Sequence, residues 1–168
     1  MKRTVRKQKR TTATKRGNKA FKKYEGEMDK TLYETFSLET PYHITLERKS
    51  GKGTKITMGL NWYRNANFYN QNAVKQLFTE RMEEPLKPVK LPDKVSITYT
   101  LYTKDKRSCD VANVCCIIDK FFSDCLSYYK CIEDDDYRYL PQVVYQYGGI
   151  EEGNAKVIID IEEFQSED

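Results

Sequence analysis

The stretch from residue 110 to residue 136 constrains the fold of this chain more than any other. It begins with Asp110-Val111-Ala112-Asn113, ends with Glu133-Asp134-Asp135-Asp136, and is largely apolar between them. Apolar side chains recur there at the spacing of a helical stripe: Val111, Cys115, Ile118, Phe122, Cys125 and Tyr129. Flanking apolar residues widen the stripe. We therefore predict a well-buried helix over 111–129 with acidic groups beyond both of its ends.

Alternation of apolar and polar residues predicts strands on both sides of this helix. The strand segments are 42–49 and 54–60, joined as a hairpin across residues 50–53, and then 94–102, 142–147 and 156–162. We predict a second helix over 72–84, a loop over 61–65 and a weakly structured connector over 24–38. Runs of strands broken by two main helices favour an α+β fold with a small mixed or antiparallel sheet. One domain, over 39–168, is expected behind an arm and connector over 1–38.

Charge is distributed very unevenly along the chain. Residues 1–23 carry eleven Lys or Arg and no acid, which leaves 18 basic and 25 acidic residues, a net charge of −7, in the remainder. Such an arm cannot bury enough apolar surface to fold alone. It is either a tether for polyanions such as nucleic acid, which we favour, or a solubilising tail.

The content of histidine and cysteine excludes several kinds of site. His43 is the only histidine, which rules out nucleases and zinc hydrolases built on several histidines, and there is no phosphate-binding Gly-x-x-x-x-Gly-Lys loop. Five cysteines lie within residues 109–131 without zinc-site spacing, and we expect them to be reduced and to pack as small apolar residues. Reduced thiols favour the cytoplasm, and no apolar run is long enough to span a membrane.

Carboxylates must therefore carry any metal chemistry in this chain. Magnesium prefers hard oxygen ligands, and two or three carboxylates with water and a phosphate oxygen satisfy it. Such a site supports phosphodiester hydrolysis, so the acids together with a basic arm suggest a nuclease. A helix over 111–129 spans about 28 Å, however, which separates Asp110 from Asp134 and Asp135. Two copies packed antiparallel would bring the two ends together, so we expect a two-fold dimer with two composite sites.

Each of these residues also has a purely structural interpretation. Asp110 is a suitable N-cap for the helix, Lys120 and Asp124 are spaced as an i,i+4 ion pair, and residues 134–136 suit a solvated turn. Taken singly, the structural interpretation is favoured in every case. The combination of these residues with the basic arm favours the functional one.

Three motifs resemble the RusA-type Holliday-junction resolvases, especially their phage-borne members. They are Asp110-Val-Ala-Asn113, Lys120-Phe-Phe-Ser-Asp124 and Glu133-Asp134-Asp135, and Asn61-Trp62-Tyr63-Arg64 followed by a helix with Lys75 resembles the amino-terminal half. The resemblance covers about residues 41–162. It implies an intertwined α+β homodimer that binds four-way DNA junctions and cuts them by paired nicks with Mg²⁺, or with Mn²⁺ as a substitute.

The resemblance also assigns roles to residues. Asp110 and Asp135 would be catalytic acids that bind the metal, Asp134 a further metal-binding acid, and Lys120 the active-site lysine. We expect Arg64, Lys75, Arg81 and Asn113 to contact DNA. Ala112 stands where the family has a second acid, so that ligand is either missing or supplied by Asn113, Asp124 or Asp136. Lys120 and Asp124 follow Asp110 by four residues more than is usual, about one helical turn.

Two other functions remain compatible with the sequence. The chain is a non-catalytic nucleic-acid-binding protein if the arm alone carries binding, and Ala112 favours this alternative. A protein-interaction module with an acidic face is the third possibility, and it predicts no DNA affinity once the arm is removed.

Overall fold

The structure is a computed structural model that describes residues 29–166. The basic arm predicted over residues 1–23 lies outside this range. The elements follow in the order β1 (Thr31–Leu32), β2 (Thr35–Thr40), β3 (His43–Glu47), β4 (Gly53–Thr57), α1 (Leu60–Asn65), α2 (Phe68–Arg81), α3 (Glu83–Leu86), β5 (Val89–Lys90), β6 (Val95–Thr103), α4 (Val111–Tyr128), β7 (Gln142–Ile150) and β8 (Lys156–Glu163).

Four strands form the main sheet, in the order β2-β8-β6-β7. β8 runs antiparallel to both of its neighbours, whereas β6 and β7 are parallel because α4 crosses over between them. β1 pairs with β5, and β3 pairs with β4 as the predicted hairpin. The expected α+β class is confirmed, with a mixed sheet and with α2 and α4 as the two longest helices of residues 29–166.

Helix α4 packs against one face of the sheet, on which the strands place apolar side chains at every second position. On β6 the buried side chains of Ile97, Tyr99 and Leu101 lie on this face, and the ring of Tyr99 stands edge-on to Phe122 at 6.3 Å. The opposite face of the sheet carries polar residues of the same strand, such as Thr98 and Thr100. The core therefore lies between α4 and one side of the sheet. No helix of residues 29–166 is long and apolar enough to cross a bilayer.

The structure differs from the sequence-based expectation at the start of the domain. Residues 24–38 were expected to be a connector, yet β1 and most of β2 lie there, and β2 is paired with β8 along its whole length. The predicted domain boundary at residue 39 is therefore wrong, since it divides a strand of the main sheet. In β2, half-buried Phe36 and Leu38 alternate with exposed Ser37 and Glu39, which is the only strand signal in this segment and is short.

Two further differences concern α1 and α2. Residues 61–65, expected to be a loop, form most of α1, whose Tyr63 packs edge-on against Phe121 of α4 at 6.2 Å. Helix α2 begins at Phe68 rather than at residue 72, because the side chain of Asn67 caps it by accepting a hydrogen bond from the backbone N–H of Asn70. The first turn of α2 is exposed and therefore adds nothing to an apolar stripe.

Candidate functional site: two acidic ends of one helix

The C-terminal end of α4 brings an acid pair and a lysine together. Asp124, in the last turns of the helix, accepts an ion pair from Lys75 of α2, with 2.5 Å between Nζ and Oδ2. Asp135, in the loop that follows α4, has its carboxyl group within hydrogen-bonding reach of Asp124. Two carboxylates thus share one small region, and a cation already touches one of them.

The chain turns back sharply after α4 to bring Asp135 there. Lys130 adopts a left-handed conformation (φ 59°), and the N–H of Cys131 donates to the carbonyl of Leu126 at 2.8 Å, which ends the helix in a Schellman-type turn. The buried side chains of Cys131 and Ile132 then fix the start of the acidic loop to the core. The loop is therefore held against the end of the helix.

The acid pair has an electrostatic consequence. Partial burial, followed by the neighbouring carboxylate of Asp124, raises the pKa of Asp135 above its ordinary value. Asp135 therefore gives up its proton less readily than a solvated aspartate. A divalent cation between the two carboxylates would remove this repulsion.

The other acids of the loop have a different partner. The guanidinium of Arg138 donates to Asp136 at 2.5 Å and lies 3.8 Å from Asp134. Hydrogen bonds from Arg138 lower the pKa of Asp136. The carboxylate of Asp136 is thus engaged by Arg138, whereas Asp135 faces Asp124.

The N-terminal end of α4 carries the remaining acid of the prediction. Asp110 is the N-cap of the helix, as its structural interpretation required, and it accepts a hydrogen bond of 3.3 Å from the N–H of Asn113. The side chain of Asn113 in turn accepts a hydrogen bond from the N–H of Asn61, at 3.2 Å, and so connects this end to α1. Asp110 is exposed to solvent.

The two acidic ends are far apart within one chain. Helix α4 has 18 residues, which correspond to about 27 Å, so Asp110 and Asp135 do not meet in one copy. Across residues 29–166 no three His, Cys, Asp or Glu side chains are grouped so that they hold a metal ion. Lys120 is exposed near the middle of α4. Asp124 pairs with Lys75 and not with Lys120, so the expected i,i+4 pair is not formed.

The residues expected to contact DNA have different environments. Arg64 is exposed on α1, whereas Lys75 is engaged by Asp124. The guanidinium of Arg81 donates to the carbonyls of Pro41 and His43, each at 2.9 Å, and to the hydroxyl of Thr40. Arg81 therefore anchors the turn between β2 and β3 to α2, and its donors are used inside the fold.

A buried polar network, which the sequence analysis did not find, fixes α4 on the sheet. Asp119 accepts hydrogen bonds from the hydroxyls of Tyr99 at 2.9 Å, Tyr145 at 2.6 Å and Ser123 at 2.9 Å. Burial, followed by Asp119, raises the pKa of both tyrosines, which stay protonated as donors. The sequence signal for this network is an acid in the middle of an apolar helix that lies between two tyrosine-bearing strands.

Three of the five cysteines pack in the core as the sequence predicted, whereas Cys109 is exposed and Cys116 is half-buried. All five are free, and Cys115, Cys125 and Cys131 are buried. Burial raises the pKa of Cys115 and of Cys125 to about 12, and that of Cys131 to about 11. These three thiols are therefore neutral at physiological pH and act as apolar packing.

The motifs that resemble RusA-type resolvases map to both ends of α4. Asp110 and Asn113 lie at its start, and Asp124, Asp134 and Asp135 lie at its end and in the following loop. Their spacing in the sequence thus corresponds to two separate acidic groups on one helix. A comparison of the sequence with family models and with curated proteins finds no match.

Proposed function

We propose that this protein is a Mg²⁺-dependent, structure-selective DNA endonuclease that resolves four-way (Holliday) junctions by paired phosphodiester hydrolysis. One observation carries the proposal: the carboxyl group of Asp135 is within hydrogen-bonding reach of Asp124, and the carboxylate of Asp124 pairs with the ammonium group of Lys75. Carboxylates that hold a divalent cation support hydrolysis of a phosphodiester, and a lysine beside them can stabilise negative charge on the phosphate. The resemblance to RusA-type resolvases adds the four-way junction as substrate.

The donor set at this end of α4 fits a hard divalent cation. Both ligands are carboxylates, and the raised pKa of Asp135 means that a bound cation would relieve an existing repulsion. When bound, Mg²⁺ lowers the pKa of a bound water and stabilises the leaving oxygen. Asp124 and Asp135 hold the cation in this proposal, and the ion pair with Lys75 orients Asp124.

Asp110 joins the site only from a second copy of the chain. Asp124 lies 14 residues after Asp110, which is about 21 Å along the helix, so Asp110 does not reach the acid pair of its own copy. In a two-fold dimer with antiparallel α4 helices, Asp110 of one copy would lie beside Asp124 and Asp135 of the other. Exposed Lys120, near the centre of α4, would then face the DNA between the two sites.

The β7 strand offers the edge for such a dimer. It has nine residues, it lies at the edge of the main sheet, and none of its side chains is charged. Val143, Val144, Tyr147 and Ile150 are all more than a third exposed on it. A long, uncharged edge strand with exposed apolar residues is suited to pairing with another strand.

Pairing of β7 with its copy would also align the helices correctly. Antiparallel pairing about a two-fold axis keeps both α4 helices on the same face of one continuous sheet. Asp119, in the middle of α4, bonds to Tyr145, near the middle of β7. Pairing at the centre of β7 would therefore set the two helix centres side by side, at a separation of about 10–15 Å given strands about 4.8 Å apart. The start of each helix would lie beside the end of the other.

Nicking of a synthetic four-way junction tests the proposal. We expect the wild-type protein to cut the junction in Mg²⁺ and not in EDTA, and to leave linear duplex of the same sequence intact. Asp135→Asn should reduce the cleavage rate by at least about 100-fold, because it removes a metal ligand. Asp160→Asn, which changes an exposed acid on the opposite face of the sheet, is the matched control and should cut at the wild-type rate. Full activity of Asp135→Asn rejects the proposal.

Ala112 favours one rival function, a non-catalytic nucleic-acid-binding protein. An alanine at this position of α4 leaves Asp110 as the only acid of the first motif. The rival predicts that the wild-type protein binds the junction but never nicks it, with Mg²⁺ or with Mn²⁺. The same assay therefore separates the two functions.

A further inference from the structure

Two aromatic rings project from the surface at the start of α2. The side chain of Phe68 is 70% exposed and that of Tyr69 is 81% exposed, among the highest values for large hydrophobic residues in the described range. Their rings lie edge to face, with centroids 6.2 Å apart. Adjacent exposed aromatic rings form a local apolar patch, and such patches mark interaction sites.

The charge around this aromatic pair points to the nature of the partner. Residues 48–79 contain no Asp or Glu and carry six Lys or Arg, within a body whose net charge is negative. Arg64, one of these six, is exposed on the neighbouring helix α1. Exposed aromatic rings beside an exposed arginine, in a segment without acids, are a combination that suits single-stranded nucleic acid.

Hydrogen bonds fix the aromatic pair relative to the start of α4. The side-chain amide of Gln71 donates to the carbonyls of Tyr63, at 2.6 Å, and Ala66, at 3.1 Å, which ties the first turns of α2 to α1. The N–H of Asn61 in α1 donates to the side chain of Asn113 in α4. The rings are therefore held on a rigid support that continues to the Asp110 end of α4.

We propose that Phe68 and Tyr69 form a stacking site for unpaired DNA bases, with Arg64 contacting the adjacent phosphates. The inference rests on the proposed function, which supplies DNA as the polymer. It adds which feature of the DNA is recognised, namely bases that are unstacked from the duplex at the branch point. Every base has a flat π-face, so stacking selects for unpaired structure rather than for sequence.

The polar residues around the rings favour nucleotides over an apolar protein partner. Exposed asparagines flank the pair in the sequence: Asn61, Asn65, Asn67 and Asn70. Amides offer both donors and acceptors, which suit base edges and phosphates. An apolar protein partner would leave these amides without water and without matching groups.

Binding of matched oligonucleotides tests the inference with the full chain in EDTA, so that no cleavage takes place. The probes are a single strand of about 20 nucleotides and the duplex of the same sequence. We expect Phe68→Ala and Tyr69→Ala each to weaken single-strand binding about tenfold, and to change duplex binding less than about twofold, because duplex affinity comes from phosphate contacts. Tyr69→Leu, which keeps apolar area without a flat ring, should also lose affinity, and Tyr69→Trp should restore it.

The matched control is Tyr137→Ala, since Tyr137 is equally exposed, at 80%, but lies in the acidic loop. It should leave single-strand binding unchanged. An oligonucleotide that carries 5-iodouracil should photocrosslink to Phe68 or Tyr69 in the wild-type protein. An equal loss of single-strand and duplex affinity, an equal loss in Tyr137→Ala, or crosslinks only elsewhere would each overturn the inference.

These outcomes are separate from those of the nicking assay. Ring-dependent single-strand binding without any nicking would reject the proposed endonuclease and keep the stacking site. Junction nicking together with single-strand binding that does not depend on either ring would do the reverse. A change of sedimentation mass in Phe68→Ala, with unchanged DNA binding, would assign the rings to contacts between copies and reject the stacking site.

Discussion

At the scale of single residues, Asp119 and Asp135 show two opposite uses of a carboxylate. Asp119 is surrounded by three hydroxyl donors and so has its charge satisfied by the fold. Asp135 lies beside another acid, and its pKa is raised by burial and by Asp124. The first arrangement stabilises the structure, whereas the second costs stability at neutral pH and is typical of a binding site.

Asp119→Ala should therefore be strongly destabilising. It leaves the fully buried hydroxyl of Tyr99 without its acceptor, and a buried group with no hydrogen bond costs about 1–3 kcal/mol. With Tyr145 and Ser123 also affected, we expect urea denaturation to show a loss of about 2–4 kcal/mol in the free energy of unfolding. Asp119→Asn keeps an acceptor oxygen and should lose less. A variant as stable as the wild type would contradict this role.

Asp135 should make the effect of Mg²⁺ depend on pH. Because the pKa of Asp135 is raised in the fold, its contribution favours folding at low pH and is lost as the pH rises through that raised pKa. Mg²⁺ binds the ionised pair, so at pH 7 and about 100 times its Kd it should raise the melting temperature by about 5–10 °C. At about pH 4, near the ordinary pKa of an aspartate, the shift should largely disappear.

The variant Asp135→Asn separates this effect from general salt stabilisation. At pH 7 without Mg²⁺ it should melt at or above the wild-type temperature, because the repulsion with Asp124 is gone. Its melting temperature should no longer respond to Mg²⁺. An equal response in both proteins would place the cation elsewhere.

At the scale of elements, helix α4 combines a structural cap and a proposed ligand in one residue. Asp110 caps the helix, and an N-cap replaced by alanine costs about 0.5–2 kcal/mol. Asparagine caps nearly as well as aspartate. Substitution at this position can therefore remove the charge without removing the cap.

Asp110→Asn should keep the stability and the junction affinity of the wild type and lose junction cleavage. Asp110→Ala should lose cleavage and also about 1 kcal/mol of stability in thermal or urea unfolding. If Asp110→Asn cuts normally and only the less stable Asp110→Ala is impaired, Asp110 is only a cap.

The elements that the sequence predicted well are those with one strongly buried face. The alternation along β6 and the apolar stripe of α4 were sufficient to predict these two elements, because both of them lie on the core. The start of α2 and the whole of α1 were missed, since their exposed or polar residues leave no apolar period. Strand β7 was predicted to end at residue 147, but it continues to Ile150 through an irregularity beside Gly148, where a Cβ would lie 2.5 Å from the ring of Tyr102.

The candidate site was predictable only in part, for a physical reason. Local sequence shows that acids flank α4, and the cap at Asp110 follows from its position. The contact of Asp124 with Lys75 depends on how α2 docks on α4, and the approach of Asp135 depends on the left-handed turn at Lys130. Neither is encoded in the spacing of neighbouring residues.

At the scale of the whole molecule, the proposed dimer makes a prediction that a monomeric enzyme does not share. Asp110→Asn and Asp135→Asn should each be inactive alone. A heterodimer of the two contains one composite site with both acids intact, and one with neither. In an equimolar mixture with exchange of subunits, about half of the dimers are heterodimers, so nicking of one strand should return to up to about a quarter of the wild-type rate.

Val144→Lys provides the matching test of the interface. A lysine on an edge strand opposes pairing with a second strand, so this variant should sediment as a monomer and lose cleavage. If mixing restores no activity, or if the monomeric variant cuts normally, the composite site is wrong.

The basic arm should contribute to DNA binding through charge alone. Removal of residues 1–23 takes away eleven positive charges and should weaken DNA binding most at low salt. A plot of the logarithm of affinity against that of salt concentration should become less steep for the truncated protein. An unchanged slope would show that the arm makes no phosphate contacts.

The position of β8 has a consequence for synthesis of the protein. This strand, residues 156–163, is inserted between β2 and β6, although it follows both of them along the chain by more than fifty residues. Until residues 156–163 have been translated, β2 and one side of β6 therefore have no neighbour in the sheet, and their apolar residues have no partner to pack with. A stop codon just before Lys156 would leave a gap in the middle of the sheet, and we expect the shortened product to aggregate or to be degraded rather than to fold.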